Sequence, residues 1–250
     1  MSDVKNIAIE PRLPLIPGPW SHMDEDDAVV IKKRLRERIQ AKAPCHVPVV
    51  DGLGSLISMP LPFYPGLALV QGEVKISGHT GLVDLVAGRG RLWVLDGKSD
   101  PLHALRLWRP DGASLLTGLD DADTAALYVR FFNGALQAEH GRFRFIDSID
   151  DLLALGVTDI TMDIRRKIGP LVVKSMPPDL VRRNRSLVAM VQANVLFAGA
   201  LFRASYALSC SGEVVMVEDE PLVADAAPPE RCLGWLRNVL PDVQEVVERV

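Results

Sequence analysis

The chain has 250 residues, 48% of them apolar and 24% charged, with 28 basic residues against 32 acidic and a net charge of −4. That balance excludes a disordered or low-complexity chain, and the mild acidity disfavours a dedicated nucleic-acid binder, which carries a basic excess. Three cysteines, Cys45, Cys210 and Cys232, are odd in number and far apart, so neither a disulfide framework nor a zinc knuckle is signalled and a reducing, cytoplasmic setting is expected.

Residues 1–22 are punctuated by Pro11, Pro14, Pro17 and Pro19. Proline fixes φ and removes a donor, so this stretch predicts an extended arm. It has no basic segment followed by an apolar run, and no secretory leader is expected. From Asp24 to Ala43 acids come first and bases later, an order that complements a helix dipole. Val30, Leu35 and Ile39 form its apolar side, and Pro44 ends it. Val47–Tyr64 is apolar but broken by prolines and glycines, which predicts short strands and turns.

Glu73–Ser77 alternates as a half-exposed strand does. Leu82–Val86 and Arg91–Leu95 flank Ala87-Gly88-Arg89-Gly90, the pattern of a hairpin. Asp96–Pro101 is rich in turn formers. Asp121 or Asp123 caps a predicted helix over Thr124–Glu139, with Leu127, Phe131, Phe132 and Leu136 on its apolar face. Arg142–Ile146 reads as one alternating strand, and Ser148-Ile149-Asp150-Asp151 as a capping box before a short helix that stops at Gly156.

The longest uncharged run, Ser186–Phe202, falls short of the ~20 residues of a membrane-spanning helix, so no membrane span is expected. Val191, Ala193, Val195 and Phe197 share one parity, and beyond Gly199 the apolar parity switches to Ala200, Phe202, Ala204, Tyr206 and Leu208. A switch at glycine marks a tight reversal or a bulge. With Ser211-Gly212 as the next turn and Glu213–Glu218 returning, the pattern predicts a three-stranded antiparallel meander. Pro228-Pro229 then opens a predicted helical region carrying Leu233, Leu236, Leu240, Val243 and Val247, kinked at Pro241. Strands and helices do not alternate regularly, so the fold class is α+β: antiparallel sheets packed with a few helices. The organisation expected is an arm over 1–22 and a body over 23–250, divisible into 23–120 and 121–250.

Four segments, Leu95–His103, Tyr128–Phe132, Gly141–Ser148 and Ala198–Ala204 followed by Gly212-Glu213-Val214 and Asp219–Leu222, carry a resemblance. Together they resemble a group of bacterial proteins of unassigned activity built on an LDG-S-P-(I/L)-H … YLRFF … GPFR-I … LF-A-F … G-V-M-DDEP pattern, over roughly residues 85–225. Lys98 and Asp100 stand where that pattern has threonine and proline, and Arg142 stands where it has proline. The resemblance implies a shared fold and no chemistry.

The best polar cluster is Asp96, Lys98, Ser99, Asp100 and His103: two carboxylates, a hydroxyl and an imidazole that could bind a metal or run acid–base chemistry. The same residues form turns, and no further ligand at fixed spacing accompanies them. His79 lies in Ser77-Gly78-His79-Thr80-Gly81, where glycines would admit a ligand or simply make a loop. Cys45-His46 points its side chains opposite ways in an extended chain. Neither a Ser-His-Asp triad nor a phosphate loop can be assembled.

Basic groups occur at Lys32–Arg38, at Arg165-Arg166-Lys167 and at Arg182, Arg183 and Arg185. Convergent, they could hold a polyanion, although the chain is only 6% aromatic and lacks base-stacking platforms. No cofactor and no metal site is expected. The reading that follows is a non-enzymatic cytoplasmic binding or protein-interaction protein, with a protein partner or a homodimer. A metal-dependent hydrolase using Asp96, Asp100 and His103 is the first alternative. Polyanion or nucleic-acid binding through Arg182, Arg183 and Arg185 is the second.

Overall fold

The computed structural model describes residues 14–76, 79–106, 115–138, 141–155, 157, 160–174, 176, 186–226, 232–233 and 236–241. In chain order the elements are β1 (Ser21–His22), α1 (Glu25–Lys42), a 3-10 turn at Pro44–His46, α2 (Val47–Asp51), β2 (Leu56–Pro60), β3 (Ala68–Ile76), β4 (His79–Gly88) and β5 (Arg91–Val94). Then come α3 (Asp100–Arg106), α4 (Ala122–Ala135), β6 (Gln137–Ala138), β7 (Gly141–Arg142), β8 (Arg144–Ile146), α5 (Ile149–Ala154), α6 (Met162–Lys167) and β9 (Val172–Lys174). The chain continues through β10 (Leu187–Phe197), β11 (Ala200–Ser209) and β12 (Val214–Val223) to β13 (Cys232–Leu233) and β14 (Leu236–Pro241). All strand pairs within the sheets are antiparallel and the fold is α+β. Two compact units result: one holds the residues up to Leu61, Gly66–Asp96 and the returning β13 and β14; the other holds Pro62–Pro65 and Gly97–Glu230.

In the first unit the sheet order is β1-β2-β3-β4-β14-β13, with β5 also on β4. Strand alternation turns Val70 and Val74 of β3 and Val83 and Leu85 of β4 to one face, where they pack with Leu35 and Ile39 of α1. Asp24 caps α1 by accepting the Asp26 amide at 3.0 Å. The basic side of α1 secures it. Lys32 donates to the Leu53 carbonyl at 2.9 Å, Arg36 pairs with Asp51 at 2.9 Å, and Arg38 reaches the Leu92 carbonyl at 2.8 Å. Val30 leaves the expected apolar side and stays exposed.

The opposite face of β3 and β4 carries a buried polar pair, Gln71 donating to Asp84 at 3.0 Å. The described part of the proline-rich segment is docked rather than loose. Leu15, Ile16 and Trp20 are buried, and Gly18 sits against the Met59 sulfur where no side chain would fit.

The second unit is organised by the meander β10-β11-β12, with β8 and β9 on the other edge of β10. Ala198 and Gly199, with φ of 53° and 83°, make the two-residue reversal predicted at the parity switch. Arg130 of α4 places its guanidinium 5.4 Å from the Phe145 ring centroid. By strand parity Arg203 and Asn194 point to the face opposite Phe145, where they hold residues 167–169: Arg203 donates to the Lys167 carbonyl and Asn194 to that of Gly169, each at 3.0 Å.

The capping box is present, the Ser148 hydroxyl accepting from the Asp151 amide and the Asp151 carboxylate from the Ser148 amide. The helix it starts ends at Ala154; the expected stop at Gly156 lies outside the described residues.

Several expectations are corrected. Val47–Asp51 is a short helix, because Pro48 falls in its first turn, where a missing N–H costs nothing. The predicted strand at 142–146 breaks at Phe143 into β7 and β8, and its parity inverts: Arg142 is buried while Phe143 and Phe145 are half-exposed. The predicted helix over 124–139 spans Ala122–Ala135 and yields to β6, whose backbone pairs with β7. The predicted C-terminal helix is replaced by strands within the described residues. β14 pairs with β4 from Val83 to His79, so an open sheet edge supplied partners that outweighed helical spacing.

Candidate functional site

The residues of the predicted polar cluster fall in different elements: Asp96 after β5, and Asp100 and His103 in α3. Asp96 follows β5 in the first unit and is half-buried; it has bonding partners of its own. Asp100 and His103 belong to the second unit, on the exposed side of α3, whose Leu102 and Leu105 are buried. The His103 amide donates to the Ser99 carbonyl at 2.9 Å, an ordinary first-turn bond. Gly97 explains the adjacent motif: it has φ of 83°, and a Cβ there would lie 2.6 Å from that of Gln137.

His79 is not in a loop. Its backbone opens β4 and pairs with Ile76 and Pro241. Cys45-His46 lies in the 3-10 turn, not in extended chain. Arg182, Arg183 and Arg185 lie outside the described residues. Among the described residues no three His, Cys, Asp or Glu side chains form a group able to hold a metal ion, and no helix is long and apolar enough to cross a membrane.

Much of the polar character of the resemblance pattern works inside the second unit. Arg130 forms an ion pair with Asp147, which also accepts the Leu171 amide at 3.1 Å. One carboxylate thus ties α4 to the chain entering β9. Arg130 is 11% exposed and Asp147 33%, so the pair is partly shielded from solvent. Replacing Asp147 with asparagine removes the charge opposite a shielded guanidinium. Urea denaturation should show a loss of about 2 kcal/mol; a loss below ~0.5 kcal/mol would mean that the pair is solvated like a surface bridge.

The chain's three tyrosines are all buried. Tyr64 donates to the Tyr128 hydroxyl, which donates to the Gly212 carbonyl at 2.8 Å. Burial pushes the Tyr128 hydroxyl up to about 12 from an ordinary 10.0, while the Tyr64 hydrogen bond and the Arg106 charge pull the other way. Burial raises Tyr64, helped by Tyr128. Burial and then the nearby Asp219 charge raise Tyr206, whose hydroxyl has no hydrogen-bond partner.

The native chain therefore keeps phenolic protons that the unfolded chain sheds. Stability is full below pH about 10 and drains as the pH climbs through about 12. Tyrosinate absorbance should rise together with loss of near-ultraviolet circular dichroism. A tyrosinate signal from the folded chain would contradict the burial.

Two surfaces remain. A hollow of about 230 Å³ in the first unit is floored by Met23, Ile31, Val70 and Leu92 and rimmed by Asp27 and Arg34. Apolar side chains dominate its lining, with Asp27, Arg34 and Arg91 as the charged members.

The other surface is β12. Among the described residues it is the last strand of its sheet, bonded to β11 alone. Most of the strand is exposed, including Val215 at 49%, Met216 at 41% and Val217 at 43%. The register shift between Ser205 and Tyr206 makes Val217 the extra residue of a bulge. Beyond it Glu218, Asp219, Glu220 and Pro221 continue the same edge. The sequence shows this strand only as far as Glu218, while β12 runs on to Val223, and it does not show the strand's place at the rim, which depends on which strands pair. Comparison with family models, with curated proteins and with solved structures finds no match for this chain.

Proposed function

We propose that this is a non-enzymatic interaction protein of the cytoplasm and that β12 is its recognition element. One observation carries the reading: among the described residues, a ten-residue strand with one unpaired edge leaves three consecutive apolar residues open to solvent. Edge strands present unused N–H and C=O groups, a ready template for another strand. Proteins blunt such edges with charge, proline and bulges; here Glu218 to Pro221 carries charge and proline and Val217 sits in the bulge, which leaves Val214–Met216 as the regular apolar stretch. The exposed free thiol of Cys210 supports a reducing setting.

The test uses native sedimentation in an extract of the producing cells. The wild-type chain should run above its own 27.4 kDa. Val215→Lys with Val217→Lys should return it to monomer, while Asp96→Ala and His103→Ala leave the complex intact. A monomer throughout, or a complex that responds only to Asp96→Ala and His103→Ala, defeats the reading; the second outcome would move the function to the hydrolase alternative.

A further inference from the structure

We infer that the partner of β12 is an extended strand from a different protein, apolar along Val214–Val217 and basic along Glu218–Glu220. This rests on the reading of β12 as the recognition edge and specifies what that edge accepts.

A second copy of the chain is the first occupant to weigh. Two identical edge strands close a dimer only about a two-fold axis, which makes them antiparallel. Centring that axis on the open half, Val214–Val217, lays Glu218 of one copy beside Glu213 or Val214 of the other, and brings Asp219 of one copy within a residue of Glu213 of the other. Like charges opposite or diagonal across a strand pair oppose pairing. Sliding the axis toward the C-terminal half sets Glu218, Asp219 and Glu220 against their own copies and brings in Pro221, which has no N–H to donate. Both registers are penalised, so self-pairing is the poorer fit.

The register of β12 on β11 defines the complementary strand. Glu218 stands opposite Ser205 and Glu220 opposite Arg203, so the two carboxylates share a face; Asp219 stands opposite Ala204 on the other. Cations two residues apart on an added strand meet Glu218 and Glu220, and one between them meets Asp219. Arg203 is the basic residue across from Glu220, and its Nη2 is engaged with the Lys167 carbonyl. The apolar half asks for β-branched or other apolar residues, since Val215 and Met216 lie on opposite faces of the strand. Backbone pairing would supply much of the affinity, and the charge pattern would supply selectivity and direction.

The test is fluorescence anisotropy of the full chain with synthetic ten-residue peptides. One alternates valine with lysine in its first half and valine with threonine in its second; another reverses the halves; matching peptides carry glutamate for lysine. One lysine peptide should bind roughly tenfold tighter than its glutamate counterpart at low salt, with the gap narrowing at high salt. Amide exchange along β12 should slow in its presence. Glu218→Lys with Glu220→Lys should reverse the preference. Glu218→Lys alone, which leaves Glu220 across from Arg203, should abolish it and serves if the double variant melts early.

Equal binding of lysine and glutamate peptides with β12 protected overturns the basic partner and leaves the edge reading standing. A concentration-dependent dimer with β12 protected and no peptide present overturns it in favour of a second copy. If no peptide protects β12 and the extract complex also survives Val215→Lys with Val217→Lys, the edge reading itself falls.

Discussion

Gly212→Ala should cost about 3–5 kcal/mol in urea denaturation, the sum of a left-handed backbone penalty, a steric clash and a disturbed buried hydrogen bond. Gly212 has φ of 76°, in the turn from β11 into β12. A Cβ there would meet a methyl of Leu116, lie 2.7 Å from the Tyr128 hydroxyl and 3.2 Å from Cδ of Arg106. The Leu116 methyl ends a half-buried side chain and can shift, but the other two are held. Tyr128 is fully buried and donates to the carbonyl of this same residue. Arg106 already has a buried Nε with no hydrogen-bond partner. A loss under ~1 kcal/mol would show that the turn relaxes freely, which the crowding around it forbids.

Phe131→Ala should be similarly damaging, at about 3–5 kcal/mol. Phe131 is fully buried, with ring centroids 5.3 Å from Phe63 and 6.2 Å from Tyr64. Phe63 in turn meets Tyr128 edge to face at 5.2 Å. Removing one ring leaves a cavity that its rigid aromatic neighbours fill poorly. Leu153→Ala is the control: Leu153 is 51% exposed on α5, and its truncation should cost under ~0.5 kcal/mol. Equal losses at the two sites would mean that this aromatic cluster is not the organising core of the second unit.

The legible parts of the fold were those written in local chemistry. Asp24 and Asp121 both act as helix caps, and for Asp121 the hydrogen bond from the Thr124 amide holds its carboxyl below the usual range. Arg89 and Gly90, with φ of 48° and 73°, close the β4–β5 hairpin marked by its glycines. Ala198-Gly199 closes the next one read, between β10 and β11. Each of these is decided by residues within a few positions of one another.

The illegible parts depend on distant partners. Nothing near Leu236 says that β4 awaits a strand, so the leucine spacing reads as a helix. Nothing near Arg142 announces that it goes inside while Phe143 and Phe145 stay partly open. The candidate site follows the same rule. The polar loop from Asp96 to His103 draws the eye because its residue types are reactive, yet the described contacts give it turns and helix starts. The edge of β12 is built from residue types that attract no notice, and its exposure follows from sheet order alone.

One stretch of β4 backbone has a bearing on how the polypeptide matures. His79–Val83 is covered by a strand made of residues 236–241, which follow it in the chain only after the whole meander. During translation that span must stay bare while the intervening meander emerges and condenses. The first sheet is completed only once residues 236–241 have been made, so until then an edge of β4 is open to pairing with other chains.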